Sequence, residues 1–171
     1  VDSHVCTVGA LGGISWAFGA SEVFHVLATQ TSILRKPPTM RINMDGTPAG
    51  TVTPKDIALY LVGQIGAAGA LGRAVEFAGP VVRAMPMEGR FTLCNMAVEM
   101  GAAFATIQPD DITFDYLKGR RYAPAGAAWD SAMAQWRLLK SDDDARFDHE
   151  ASIDFTQVAP QVSWGISPQD V

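Results

Sequence analysis

The sequence predicts an α/β protein, because helical and extended periodicities alternate along its length. Met40, Ile42 and Met44 alternate with Arg41 and Asn43, the period of a half-buried strand. Ile57, Leu61 and Ile65 instead repeat at helical spacing, as do Trp129, Met133 and Trp136. Segments of the two kinds interleave from one end of the chain to the other, which is the pattern of layered helices and sheet.

The elements follow in order. Gly9 to Gly19 is rich in glycine and small residues, favouring turns and close backbone approach. Ser21 reads as an N-cap with Glu22 in the first turn, and Val23, Val26 and Leu27 carry a helix to about Thr31 before Pro37-Pro38 close the segment. The strand through Met44 ends at an Asp45-Gly46 turn. Thr53-Pro54-Lys55-Asp56 then supplies a capping hydroxyl, a proline at the first helical position and an early acid.

Gly66 to Gly72 breaks that helix, and Ala74 to Ala78 reads as a short strand before the turn residues Gly79-Pro80. Gly89 to Met100 is helix-like, with Cys94, Ala97, Val98 and Gly101 as a small-residue packing face. Phe104 to Ile107 is a brief strand, and Asp110-Asp111 precede a short helix ending at Lys118-Gly119. A longer amphipathic helix carries Trp129, Met133, Trp136 and Leu139, and Asp142 to Asp144 form a solvated loop. Phe147, His149, Ala151, Ile153 and Phe155 alternate with polar residues, and Val162-Ser163-Trp164 suggests a further extended segment.

Composition narrows the function. A chain of 171 residues, 48% of them hydrophobic, can bury one core without disulfide or metal staples. The formal charge is -5 and the thirteen basic residues are scattered, so there is no electrostatic footprint for nucleic acid or an anionic membrane. No stretch reaches the roughly 18 to 20 apolar residues of a membrane span. The start, Val1-Asp2-Ser3-His4, has neither the basic head nor the apolar core of a signal peptide and lacks an initiator Met, so the chain is expected to be a fragment. Cys6 and Cys94 read as reduced thiols, consistent with a cytoplasmic protein, and two cysteines fall short of an iron-sulfur ligand set.

Two constellations could carry chemistry. Asp2-Ser3-His4 sets a carboxylate, a hydroxyl and an imidazole side by side, ahead of a glycine-rich loop that lets a ligand come close; the plain alternative is a solvated terminus. Asn95 and Glu99, four apart on one helix face, could orient a water or a substrate hydroxyl; the alternative is an ordinary surface pair. The apolar neighbours Leu93, Cys94, Met96 and Val98 favour a largely buried helix, where an idle carboxylate is costly. His25 and His149 read as packing or interface histidines, and the Trp129 and Trp136 stripe as packing.

Longer motifs point further. Asp2-Ser3-His4, Ser21-Glu22-Val23 with His25 to Thr31, Glu76-Phe77-Ala78-Gly79, and Met87-Glu88-Gly89-Arg90 running into Cys94-Asn95-Met96 and Glu99 together resemble the aconitase superfamily. Tyr116 to Arg120, Tyr122-Ala123-Pro124, Trp129-Asp130 and Pro160 to Gly165 resemble its isopropylmalate-dehydrating large-subunit branch. The resemblance implies an aconitase-type layered α/β/α fold with a mixed sheet. It also implies three pieces: 1–38 as the end of a first subdomain, 39–155 as a central α/β subdomain, and 156–171 as the start of a third.

By the same resemblance, the activity would be a hydro-lyase isomerisation of 2- and 3-isopropylmalate in leucine biosynthesis, using a 4Fe-4S cluster and a separate small subunit that supplies a swivelling domain. His4 and Glu99 would handle the proton of the hydroxyl or water, Asp2 would support a histidine outside this chain, and Ser3 and Asn95 would contact the ligands. The family's cluster cysteines lie in a Cys-Thr-Asn-Ser motif and a later Cys-x-x-Cys motif, neither of which occurs here. Cys6 and Cys94 do not correspond to them, so no metal ligand is assigned. Departures from the family pattern are Val5, Val8, Phe24 and Pro86, the last removing an expected N-cap hydroxyl. Homoaconitase, aconitase or another substituted-malate dehydratase is the alternative within the superfamily, and a non-catalytic packing or subunit-binding fragment the alternative outside it.

Overall fold

The computed structural model describes residues 2–171; Val1, the first residue of the N-terminal segment, lies outside them. Four strands form one sheet: β1 (Thr39–Asp45), β2 (Ala74–Ala78), β3 (Phe104–Ile107) and β4 (His149–Asp154). Their order across the sheet is β3-β2-β1-β4. The helices are α1 (Ala20–Thr29), α2 (Pro54–Ile65), α3 (Pro80–Ala84), α4 (Met87–Met96), α5 (Asp111–Leu117) and α6 (Ala127–Trp136). Two 3₁₀ segments, Val5–Leu11 and Ala97–Met100, complete the elements.

The α/β class is as the alternating periodicities predict, but the mixed sheet is corrected: every strand pair is parallel. The reason lies in the connections. A parallel neighbour needs a crossover of a dozen or more residues, usually helical, and each link between strands here contains at least one helix. The link after β3 carries the chain from one edge of the sheet to the other, where β4 pairs with β1.

Register decides which side chains share a face. Met40, Ile42 and Met44 of β1 stand level with Val75 and Phe77 of β2 and with Ala151 and Ile153 of β4, so the apolar positions fall on one side. That side meets α2, α3 and α4 through Leu61, Val62, Val81, Leu93 and Cys94, all buried. The opposite side carries Arg41, Asn43, Asp45, Glu76, Glu150, Ser152 and Asp154. Parallel strands usually read as continuous apolar runs because helices cover both faces. These strands alternate, and the 137–147 segment touches the polar face instead, with the Ser141 hydroxyl bonded to Glu76 and Phe147 stacked on the Arg41 guanidinium.

Local signals set the ends of several elements. Thr53 and Asp56 form a reciprocal capping box at α2, with Pro54 at its first position. Asp110 caps α5 through Thr113. At α4 the N-cap is Pro86 and no side chain caps it, as expected where the N-cap residue carries no hydroxyl. The predicted helix start at Ser21 moves to a Gly19 N-cap, and the helix ends at Gln30, a non-glycine residue in the left-handed region. The turn expected at Gly79-Pro80 opens the short helix α3. Gly79 has φ +103, and a Cβ there would meet the Met44 backbone, so glycine is required.

The tail runs back to the core: Phe155 is fully buried edge-on to Tyr60, and the Gln161 amide donates to Asp56. Val162 to Trp164, expected to be extended, joins no strand and is exposed. Helix α1 buries no residue; its Phe24 is 75% exposed and Leu27 72% exposed, while its polar side, Ser21, Glu22 and His25, faces Ser32 and Ile33. His25 and His149 are both exposed rather than packed. The tryptophan stripe does pack, with Trp136 stacked on Phe114 and edge-on to Trp129.

Candidate active site

Helix α4 carries one part of the site and the N-terminal segment brings the other to it. The 3₁₀ segment Val5–Leu11 packs against α4 and β3, and it can lie that close because Gly9 has no side chain: a Cβ there would run into the Ala105 carbonyl. Cys6 of this segment is buried, and its thiol points at the Asn95 carbonyl at 3.7 Å. The Ser15 hydroxyl donates to the Val5 carbonyl at 2.6 Å and holds the far side of the loop.

This packing brings together residues 95 positions apart. The His4 Nε2 lies 3.4 Å from Glu99 Oε1, and on the other side of the ring the Ser3 hydroxyl lies 2.9 Å from Nδ1. Asp2 accepts the His4 backbone N–H at 2.9 Å, and its carboxylate is 3.9 Å from Nδ1. An ionised Glu99 can only accept, so a neutral His4 paired to it carries its proton on Nε2 and takes the Ser3 O–H on Nδ1. The His4 and Glu99 side chains are 39% and 36% exposed, half open to a ligand.

Asn95 joins from the same helix by a different route: its Nδ2 donates to the Thr7 hydroxyl at 2.9 Å, and that hydroxyl donates to the His4 carbonyl at 2.6 Å. The spacing argument that put Asn95 and Glu99 on one face of a continuous helix needs correction. The α-helix ends at Met96, and Glu99 sits in the 3₁₀ turn Ala97–Met100, closed by Gly101 in the left-handed region. Both side chains still turn toward the N-terminal segment. Neither is deeply buried, which the apolar neighbours had suggested.

A shallow cavity of about 370 Å³ beside this group is lined by Thr7, Lys55, Phe91, Thr92, Asn95 and Met96. A second crevice, of about 350 Å³, lies at the carboxyl ends of β1, β2 and β3 and includes Asn43, Asp45, Gly79 and Arg83. Glu99 precedes β3 at its amino end, so that crevice belongs to the other end of the sheet. The five residues singled out from sequence, Asp2, Ser3, His4, Asn95 and Glu99, form one group. Thr7 was missed, while Cys6, read as a reduced thiol, is buried and free; the only sequence signal for Thr7 is a hydroxyl three residues after His4, the spacing at which Thr bonds back to a carbonyl.

At the second crevice, Arg90 of α4 is wholly buried yet fully partnered. It donates to both oxygens of Asp110 at 2.8 and 2.7 Å, to Thr113 at 3.3 Å, and to the carbonyls of Met85 and Arg83 at 3.0 and 3.3 Å. Burial pushes the Asp110 carboxyl up, but its hydrogen bonds to Arg90, the guanidinium charge and the amides of Thr113 and Ile112 together hold it below the usual range. Burial raises the thiols of Cys6 and Cys94, and both cysteines are free. Among the described residues no group of three or more His, Cys, Asp or Glu could hold a metal ion, and no helix is long and apolar enough to cross a membrane.

The fold agrees with what the chain is similar to. The model of the aconitase family (aconitate hydratase) matches residues 1–171, and the chain belongs to that family. Among curated relatives, 3-isopropylmalate dehydratase large subunit 1 of Bradyrhizobium diazoefficiens is 53% identical over 170 residues, 99% of this chain and 36% of the relative. The chain thus spans about a third of the length of that relative.

Proposed function

We propose that this chain forms part of the large subunit of a hydro-lyase that interconverts 2- and 3-isopropylmalate by removing water and adding it back. The observation that carries the reading is the contact of His4 with Glu99, made across the chain by residues that the family resemblance pairs. The high identity to a relative named for that reaction supports the substrate class.

In this reading His4 and Glu99 share the proton that leaves or joins the substrate hydroxyl or water. A carboxylate held by an imidazole, which is itself held by a serine hydroxyl, can accept and return that proton without moving its own oxygens far. The 3.4 Å separation is long for a hydrogen bond and leaves room to tighten once a ligand excludes water. Ser3 and Asn95 contact the ligand. Asp2, which here braces the His4 amide, supports a histidine from outside this chain.

A 4Fe-4S cluster bound in the complete enzyme would supply Lewis-acid polarisation of the hydroxyl. The residues present do not fit as its ligands: Cys94 is fully buried, Cys6 is committed to the Asn95 carbonyl, and burial keeps both thiols protonated. No step is therefore assigned to a cluster held by this chain.

The complete enzyme would comprise a small subunit as well. The outward apolar side of α1, with Phe24 and Leu27, favours burial of this segment against further polypeptide. We assign residues 39–155 to a central subdomain flanked by parts of two others, and the assembly to the cytoplasm, where buried thiols stay reduced. The test is turnover by the complete large subunit, reconstituted anaerobically with its small subunit. Isopropylmalate is expected to be the preferred substrate, and a robust preference for citrate or homocitrate would overturn the assignment.

A further inference from the structure

The direction of one hydrogen-bond chain at the site is fixed by chemistry alone. The Thr7 hydroxyl has a single proton, and it lies 2.6 Å from the His4 carbonyl, which can only accept. The proton is therefore spent there, and Thr7 can meet Asn95 only as an acceptor. The Asn95 atom 2.9 Å away must then be the amide nitrogen, and the carbonyl oxygen Oδ1 must point the other way. Among the described residues, no hydrogen bond of the protein engages that oxygen. The Asn95 backbone is pinned as well, by the Cys6 thiol on its carbonyl.

We infer that Thr7 is a positioning residue: it holds the Asn95 amide in one orientation, so that Asn95 presents a carbonyl oxygen, an acceptor, to a hydroxyl or water of the ligand. The inference rests on the reading that Asn95 contacts the ligand, and deepens it by fixing the polarity of that contact. Without the Thr7 hydroxyl the amide can turn over, offering N–H where the ligand also offers O–H. With serine in place of Thr7 the same proton still goes to the His4 carbonyl, so the orientation survives. A purely packing role for Thr7 would give the reverse order, valine tolerated for its matching shape and serine disturbing for its missing methyl, whereas the orientation of Asn95 needs the hydroxyl alone.

Within these 171 residues Asn43 and Asn95 are the only asparagines, which keeps the comparison to one reporter and one control. Asparagine-selective nitrogen-15 labelling of the complete large subunit reads the Asn95 side-chain NH2 pair, identified by its loss in Asn95→Asp, with the Asn43 pair on β1 as the control for folding. In the unmodified chain one Asn95 amide proton is expected to exchange with solvent more slowly than its geminal partner, since one is held by Thr7. Equal rates would overturn the inference before any variant is made.

Thr7→Val is expected to shift the Asn95 pair and equalise the two rates while leaving Asn43 unchanged, and Thr7→Ser to preserve the original pattern. An unmoved Asn95 pair in Thr7→Val, or the same shift in both variants, would overturn it. In the assembled enzyme Thr7→Val is expected to lower kcat about tenfold, an effect of one good hydrogen bond, with recovery in Thr7→Ser. Because the amide signature is read without turnover, an enzyme inactive on isopropylmalate refutes the proposed activity while an intact signature upholds Thr7.

Discussion

Replacing Arg90 with methionine, Asp110 with asparagine, and then both together tests how the buried ion pair ties α4, which carries Asn95, to the start of α5. The Arg90 side chain is 1% exposed and that of Asp110 34% exposed, so the two single variants are not equivalent. Arg90→Met leaves a carboxylate that water can reach, along with the Met85 and Arg83 carbonyls that lose their donor. Asp110→Asn leaves a guanidinium that cannot lose its proton and that water cannot reach. Breaking a buried pair from one side costs about 3–5 kcal/mol, which places Arg90→Met at about 3 and Asp110→Asn at about 4 kcal/mol.

The double variant removes both charges and is expected to cost less than the sum of the singles by about 2–3 kcal/mol. Urea unfolding followed by circular dichroism reads these values; with a slope of about 2 kcal/mol/M, Arg90→Met lowers the midpoint by about 1.5 M. Additivity within about 0.5 kcal/mol would refute the reasoning, since it would mean that the two groups do not depend on each other.

Further outcomes are expected at other positions. Glu99→Gln in the assembled enzyme should lower kcat by about 10²–10⁴-fold with little change in unfolding midpoint, and a loss under about tenfold would remove Glu99 from the proton-handling pair. Thr53→Ala should cost about 1 kcal/mol in thermal or urea unfolding by opening the capping box. The Asp56 carboxyl is held below its usual range by the Thr53 hydroxyl first and by the Gln161 and Thr53 amides after it. Its stabilisation is therefore complete above the ordinary carboxylate range and lost as pH falls through the lowered native value, so Asp56→Asn should flatten the acid limb of the stability curve. Gly9→Ala should destabilise by about 1–3 kcal/mol and expose Cys6 to a thiol reagent that the native chain resists, because the added methyl forces the N-terminal segment off the Ala105 carbonyl.

The site was legible in the sequence to the extent that its motifs are local. Asp2-Ser3-His4 and the Asn95 and Glu99 pair stand in short runs, and each run could be read without knowing where it lies in space. The partners that orient them could not. Thr7 and Asn95 are 88 residues apart, and nothing in the spacing around either one announces the other. The helix break at Met96 was hidden too, since Ala97, Val98 and Glu99 continue a helical pattern and the 3₁₀ turn answers to Gly101 and to the packing of this turn before β3.

Local sequence suffices for the α/β alternation, the strand faces and the capping hydroxyl of Thr53, because these depend on side chains a few residues apart. Long-range packing settles that the four strands run parallel, that β4 crosses to pair with β1, and that His4 meets Glu99. Those outcomes depend on which distant apolar faces are buried together, and one local pattern is compatible with several such arrangements until packing selects among them.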